Sequence, residues 1–278
     1  MTGTGAALSL GAGLFGVLLA AASAAVAERL PDGLVAEAAG RGVVQAWYER
    51  PTDRYDHGVL GDAIEAGSLV VVDHGGRRYE HVLPHDRVFE DITPRLADLD
   101  GDGTNEVVTI RSDLAAGAAV AVYGLRDGNL AEIAATEPIG LANRWLSIAA
   151  IADFRGDGRP RIAVVLMPHL AGLLELLELR DGRLVRVAGP AGGYSSHAIG
   201  SRVLSLAAAV DADGDGALDL AVPDLSRRRV VLVGFADGLH SIGMHDLPAR
   251  VVDRIRVERP DRLAVPLEDG KVAVIELR

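Results

Sequence analysis

A nine-residue acidic loop that occurs three times constrains the fold of this chain more than any other feature. It runs Asp98-Leu99-Asp100-Gly101-Asp102-Gly103-Thr104-Asn105-Glu106 and recurs as Asp211-Ala212-Asp213-Gly214-Asp215-Gly216-Ala217-Leu218-Asp219. A third copy, Asp153-Phe154-Arg155-Gly156-Asp157-Gly158-Arg159-Pro160-Arg161, keeps the glycines and loses half the acids. Each copy follows an apolar segment and leads into another, at 107–110, 220–222 and 162–165. The copies open at 98, 153 and 211, so they lie 55 and 58 residues apart. Self-similarity at such a spacing is the mark of a repeat architecture.

The segments before the loops at Asp153 and Asp211 carry the repeat further. Arg144-Trp145-Leu146-Ser147-Ile148-Ala149-Ala150-Ile151-Ala152-Asp153 aligns with Arg202-Val203-Leu204-Ser205-Leu206-Ala207-Ala208-Ala209-Val210-Asp211, and the differences are exchanges among apolar residues. Turns at Arg126-Asp127-Gly128, Arg180-Asp181-Gly182, Ala236-Asp237-Gly238 and Glu268-Asp269-Gly270 separate apolar runs. Glycine there accepts the positive φ that tight hairpin turns need. Loop-less copies begin near 60 and 253, which makes five units, each long enough for four short strands. The segment 173–179, Leu-Leu-Glu-Leu-Leu-Glu-Leu, has helical propensity but stands where its sister units have strands, so the repeat predicts a strand.

A unit of this size cannot cover both faces of its own sheet, whereas radial stacking does and leaves short, protected edges. The predicted fold is all-β, a β-propeller of five four-stranded blades, with six or seven blades or an open sandwich as alternatives. Residues 59–278 would form the blades, beginning with paired strands at 59–65 and 68–73. Residues 28–58 form an N-terminal segment whose strand at 43–48 would complete the last blade and close the ring.

In the intact loops, carboxylates at positions 1, 3, 5 and 9 converge once glycines let the backbone curl, and the carbonyl at position 7 adds an oxygen. This names Asp98, Asp100, Asp102, the Thr104 carbonyl and Glu106, and then Asp211, Asp213, Asp215, the Ala217 carbonyl and Asp219. An all-oxygen, flexible, strongly anionic donor set suits Ca²⁺ better than Mg²⁺, which demands tight octahedral geometry. An EF-hand would need a glutamate at position 12 between helices; Thr109 and Val222 stand there, inside strands. In the loop at Asp153, arginines at positions 3 and 9 face two carboxylates. An Arg–Asp network is expected to replace the ion, leaving two calcium sites and a metal-free third loop.

These loops, each leading into a hydrophobic strand, resemble the calcium-binding half of FG-GAP or VCBS-type repeats over roughly 59–278. The resemblance implies propeller blades with calcium on the loop joining the first two strands, held by Asp98, Asp100, Asp102 and Glu106 and by Asp211, Asp213, Asp215 and Asp219. The units lack the Phe-Gly and Gly-Ala-Pro pairs of that family, which counts against an integrin-like ligand. Function does not travel with such a fold.

The remaining readings come from composition and isolated side chains. With 39 acidic against 28 basic residues and a net charge of -11, the chain lacks the basic footprint of a nucleic-acid binder. Cysteine is absent, which excludes disulfides and thiolate chemistry. Residues 1–27 are uncharged and end Ala25-Val26-Ala27, as a cleaved export signal does; an uncleaved membrane anchor is the alternative. The expected location is periplasmic or secreted. Arg144 and Arg202 each stand nine positions before a loop and read as ties between blades or as a polar lining. His57 with Asp62, and His197 with Arg202, are the most enzyme-like clusters, with Tyr55, Tyr194, Ser195 and Ser196 nearby in sequence. No G-x-S-x-G pattern accompanies them. The expected function is a non-catalytic binding or scaffold module for a protein or a glycan. An extracytoplasmic enzyme acting on a glycan or another polymer is the alternative, as is an accessory subunit of an envelope complex. Convergence of His57, Asp62, His197 and Arg202 would favour the enzyme.

Overall fold

A computed structural model describes residues 1–3 and 27–277; the proposed export signal therefore lies almost wholly outside the described residues. The described chain is all-β, with one 3₁₀ turn, Gly58–Leu60, as its only helical element among these residues. The first sheet contains β1 (Ala36–Glu37), β2 (Arg41–Thr52), β3 (Glu65–Asp73), β4 (Arg78–Val82), β5 (Arg87–Phe89), β6 (Arg95–Ala97), β7 (Thr104–Asp113), β8 (Gly117–Arg126) and β9 (Asn129–Ala135). Within it, β5 pairs with both β3 and β7 and so joins two antiparallel groups, β1–β4 and β6–β9, into nine strands.

Three smaller antiparallel meanders follow in chain order. They are β10 (Leu146–Ala152), β11 (Arg161–Leu166), β12 (Leu173–Arg180) and β13 (Arg183–Ala191); then β14 (Ala208–Val210), β15 (Asp219–Pro223), β16 (Arg229–Gly234) and β17 (His240–Asp246); then β18 (Arg256–Arg259), β19 (Arg262–Pro266) and β20 (Val272–Glu276). Successive groups lie side by side, with β9 against β13, β10 against β14 and β14 against β18. The segment 173–179 is strand β12, as the repeat predicts over local propensity.

Two expectations are corrected. Residues 43–48 do not join the last sheet: they sit in β2, paired with β3 from Val43↔Asp73 to Thr52↔Glu65. The last sheet has three strands among the described residues. Residues 59–64 are not a strand, because the chain turns through Gly58–Leu60 and Gly61 at φ 106° before β3 begins at Glu65.

Burial explains the strand composition. The central strands β7, β8, β11, β12, β15 and β16 are buried on both faces over most of their length, which is why apolar residues follow one another in them without strict alternation, with polar groups such as Thr109, Arg111, Glu175 and Glu178 buried among them. Strands β17 and β18 are mostly exposed and polar. Clusters around Leu146 and Ile162, around Phe154 and Leu174, and around Leu263 and Val251 fill the spaces between sheets. Each such side chain contributes about 1.5–3 kcal/mol on burial. Serines at one repeat position add polar ties: Ser147 Oγ donates to the Leu204 carbonyl at 2.9 Å, and Ser205 Oγ to the Ala149 carbonyl at 2.7 Å.

Candidate functional site

The acidic loops share one end of the sheets, where β6, β10 and β14 hand over to β7, β11 and β15. Two glycines curl each intact loop, Gly101 and Gly103 at φ 78° and 82°, and Gly214 and Gly216 at φ 81° and 90°. The first carboxylate fixes the curl. Asp98 accepts from the Gly101 and Gly103 amides at 2.8 and 2.9 Å, and Asp211 from the Gly214 and Gly216 amides at 2.7 and 3.1 Å. The last carboxylate closes it: Glu106 accepts from the Leu99 amide at 3.0 Å and Asp219 from the Ala212 amide at 2.8 Å.

The result is two groups able to hold a divalent cation. Carboxylate oxygens of Asp98, Asp100 and Glu106 lie within 4.8 Å of one another, as do those of Asp211, Asp213 and Asp219. The third acid of each loop, Asp102 or Asp215, is not among these three. Asp102 instead accepts from the Thr104 amide at 2.7 Å and from the Thr104 hydroxyl, and Asp215 from the Ala217 amide at 2.8 Å. Thr104 opens β7, and Ala217 lies buried just before β15. Burial, reinforced by Asp100 and Asp102, pushes the Glu106 carboxyl up to about 7. Burial and the acids of its own loop push Asp219 up to about 6. Three crowded carboxylates, one of them buried, are a donor set that Ca²⁺ fits, since the cation offsets both the burial and the mutual repulsion of the charged acids.

The third loop keeps the curl and fills it differently. Asp153 accepts from the Asp157 and Gly158 amides at 3.2 and 2.7 Å. Arg161, in the place of Glu106 and Asp219, is buried and donates to both Asp157 oxygens at 2.8 and 2.6 Å. Its Nε donates to Glu178 at 3.1 Å, and Asp153 lies 3.7 Å away. The second arginine takes no part, because Arg155 turns aside to donate to the Val187 carbonyl at 3.1 Å. Glu178, not anticipated from the loop pattern, is a third carboxylate on Arg161 and is itself shared with Arg180 at 2.8 Å.

The histidine clusters lie at the opposite end, at the entries to β10 and β14. His57, His197 and Arg202 do come near one another: the Gly200 amide donates to the Val59 carbonyl at 2.8 Å, and Arg202 pairs with Asp62 and, at 2.6 Å, with Asp32. Each imidazole nevertheless has its own structural partner. His57 Nδ1 meets the buried Glu90, which also accepts from the Ser112 hydroxyl. His197 is fully buried and uses both nitrogens, Nδ1 to His169 at 3.0 Å and Nε2 to the Ser201 carbonyl at 2.9 Å. Trp145 stacks on His169 with rings 5° from parallel and meets the His197 ring at 4.7 Å. Desolvation pushes both histidines down to about 4, so they are neutral at pH 7. Among the described residues no serine, threonine or tyrosine hydroxyl hydrogen-bonds a histidine ring, so the activated pair of nucleophilic catalysis is not assembled. Ser195 donates to the His197 carbonyl at 3.1 Å, and Tyr55 to nothing catalytic: its hydroxyl accepts from the Asn143 amide at 2.9 Å. Sequence reasoning missed His169 and Glu90, which carry no local pattern.

Between the two ends runs a cavity of about 1150 Å³. The inner strands β6, β10, β14 and β18 all line it, together with Leu34 and the segment before β6. Its walls are largely small and apolar, among them Leu96, Ile148, Ala150, Ala209 and Val257. Arg202 belongs to this lining, whereas Arg144 does not and donates to the Asn143 carbonyl at 2.9 Å.

The family model described as "FG-GAP-like repeat" matches residues 98–164, from the acidic loop opening at Asp98 through the loop opening at Asp153 and into β11. No curated protein matches the chain. Among solved structures it is similar to rhamnogalacturonan lyase YesW, with TM-score 0.53 and 14% identity over 90% of this chain and 51% of that one. It is also similar to the exotype rhamnogalacturonan lyase YesX, with TM-score 0.54 and 15% identity over 90% of this chain and 49% of that one. The chain thus spans about half the length of these neighbours, and at this identity the likeness is one of fold. Among the described residues no helix is long and apolar enough to cross a membrane.

Proposed function

We propose that this chain is an exported, calcium-stabilised β-propeller that binds carbohydrate without transforming it. The five blades would be β1–β4, β6–β9, β10–β13, β14–β17 and β18–β20, with β5 bridging the first two. On this reading 1–27 is an export signal, 28–58 contributes the first blade's inner strands, and the protein works in the periplasm or outside the cell. Calcium sits on the loops opening at Asp98 and Asp211, through Asp98, Asp100 and Glu106 and through Asp211, Asp213 and Asp219, with the Thr104 and Ala217 carbonyls close at hand. The loop at Asp153 is metal-free because Arg161 supplies the positive charge.

The observation that carries the binding reading is the cavity lined by the inner strands of every sheet, a concave site of the size ligands use. The placement of the acidic loops at the far ends of those strands supports a structural ion, and the bonding of His197 to His169 and to the Ser201 carbonyl supports a non-catalytic site. Carbohydrate is the ligand class because both neighbours are named for rhamnogalacturonan. Calorimetry with pectic and other plant polysaccharide fragments tests this, alongside calcium counted on the purified protein. Saturable binding and two ions per chain are expected; no binding, or three ions, overturns the respective part. The names of the neighbours also favour a second reading, a lyase. Ultraviolet absorbance from unsaturated sugar ends, formed when the protein is incubated with rhamnogalacturonan, would replace binding with catalysis.

A further inference from the structure

The lining of the axial cavity is charged at one end only, and with the sign opposite to that of the molecule. The chain as a whole carries -11. The charged residues of the cavity are Arg95, Arg202, Arg254, Arg256 and one acid, Asp253. Arg95 and Arg256 open β6 and β18, Arg254 stands just before β18, and Arg202 lies in the segment leading into β14, all at the end away from the acidic loops. Two of them are neutralised: Arg95 pairs with the buried Asp91, and Arg202 with Asp32 and Asp62. Arg254 and Arg256 are exposed and make no ion pair among the described residues. Asp253 accepts from the Arg254 backbone amide at 2.7 Å.

Exposure explains why both belong to the mouth. Ile255 between them is 1% exposed and packs into the core beside Val251 and Leu263. Arg254, Ile255 and Arg256 all border the cavity, and of the three only the two arginines are exposed, so their guanidinium groups are open to a ligand at the mouth. Guanidinium groups with no protein partner are rigid forks of donors that match the oxygens of a carboxylate or a sulfate ester. Their attraction for an anion is strengthened where low-dielectric walls focus the field.

We propose that the cavity takes an acidic glycan and that Arg254 and Arg256 grip its anionic groups at the mouth. This rests on the carbohydrate-binding reading above and adds the charge class of the ligand. Uronate carboxylates and sulfate esters share the required chemistry, so the test separates them.

Calorimetry on the full chain with calcium present would use three probes of equal length: a galacturonate oligomer, a sulfated galactan oligomer and a neutral galactan oligomer. The expected result is binding of one or both acidic probes, weakened by added salt, and at least about tenfold weaker binding of the neutral one. The Arg254→Ala/Arg256→Ala variant should lose about 10- to 100-fold toward the acidic probe, the worth of one or two charged hydrogen bonds. Arg183→Ala, an exposed arginine on the distant strand β13, should change nothing. Both replaced side chains are exposed, and an unchanged melting temperature would confirm an intact fold. Equal binding of neutral and acidic probes, untouched by the double variant, overturns this inference and leaves glycan binding standing. Binding of no glycan overturns both, as does tighter binding of polyglutamate than of any glycan.

Discussion

Arg161 offers the sharpest test of how the third loop is held together. Its guanidinium is 3% exposed and donates to Asp157 at 2.8 and 2.6 Å and to Glu178 at 3.1 Å. Replacing it in Arg161→Met keeps the volume and removes the charge. Glu178, itself 4% exposed, then keeps only Arg180, which donates to its other oxygen at 2.8 Å. Breaking a buried pair by deleting one partner costs about 3–5 kcal/mol. Two features bring the expectation to the low end: the Asp157 side chain is 47% exposed, and Arg180 remains. A loss of about 3 kcal/mol corresponds to a fall of roughly 6–12 °C in melting temperature for a chain of this size.

The measurement is thermal or urea unfolding at pH 7 in saturating calcium, so that the intact loops stay loaded and the change reports on the third loop. Arg155→Met is the matched control. It deletes an arginine from the same loop whose one hydrogen bond to a side-chain-independent partner is that to the Val187 carbonyl, and it should cost about 1 kcal/mol. Converting both positions, Arg155→Asp with Arg161→Glu, restores the acidic pattern of the sister loops and should add a third calcium, recovering stability in calcium but not in chelator. A melting-temperature loss under about 2 °C for Arg161→Met, or equal losses for the two single variants, would refute the view that Arg161 takes the place of the ion.

Glu65 is 2% exposed, and burial, with Glu90 next, pushes its carboxyl up to about 9, far above the ordinary value of 4.5. The folded state therefore favours the neutral acid: its contribution is full below 4.5 and is lost as pH rises toward 9, so Glu65→Gln should stabilise the protein by about 2–4 kcal/mol at pH 8 and by almost nothing at pH 4, read by urea unfolding at both. Gly172 sits at φ 56°, and a Cβ there would come within 1.9 Å of the Tyr194 carbonyl oxygen; Gly172→Ala should cost about 3 kcal/mol, and a melting temperature equal to that of the parent would contradict the close approach. Ser205→Ala removes a buried hydroxyl that donates to the Ala149 carbonyl and should cost about 1–2 kcal/mol, with Ser205→Thr tested as the variant that keeps the donor.

Much of this architecture is legible in the sequence because the informative patterns are local. Glycines at fixed offsets from carboxylates specify a curled loop whatever surrounds it, and the repeat overrides helical propensity at β12 because packing on both faces outweighs what a short Leu-Glu segment prefers alone. Pairing across distance is a different matter. Nothing in Val43 or Trp47 says that their strand meets β3 and not β20, and the three-residue strand β5 gives no hint that it links two groups of strands. Side-chain destinations are equally hidden. Arg155 and Arg161 are the same residue six positions apart, yet one leaves the loop and the other fills it, because Glu178 on the adjacent strand faces only the second. The Asx turns of the intact loops are hidden too: Asp100, Asp102, Asp213 and Asp215 each accept from the amide two residues on.

These contrasts bear on what the loops do for the molecule. The same backbone curl is stabilised in the third loop by a covalently attached cation and, on the proposed reading, by bound calcium in the other two. A fixed guanidinium is always present; an ion is present only where calcium is plentiful, and its stabilisation grows with the logarithm of calcium concentration. Two of the three loops would thus couple stability to the calcium level of the surroundings, and the arginine-bearing one would not. Without calcium, each intact loop crowds four carboxylates at one end of the inner strands, while the arginines of the cavity stand at the other end. Removing calcium should therefore loosen the acidic end first, through β6–β7 and β14–β15, and leave the arginine mouth formed. Hydrogen exchange in chelator would show it: faster exchange of the Gly101, Gly103, Gly214 and Gly216 amides, with the amides of Ile255 and Leu206 still protected. Uniform loss of protection along the inner strands would mean that the two ends are one cooperative unit, and that calcium governs the ligand site as well as the loops.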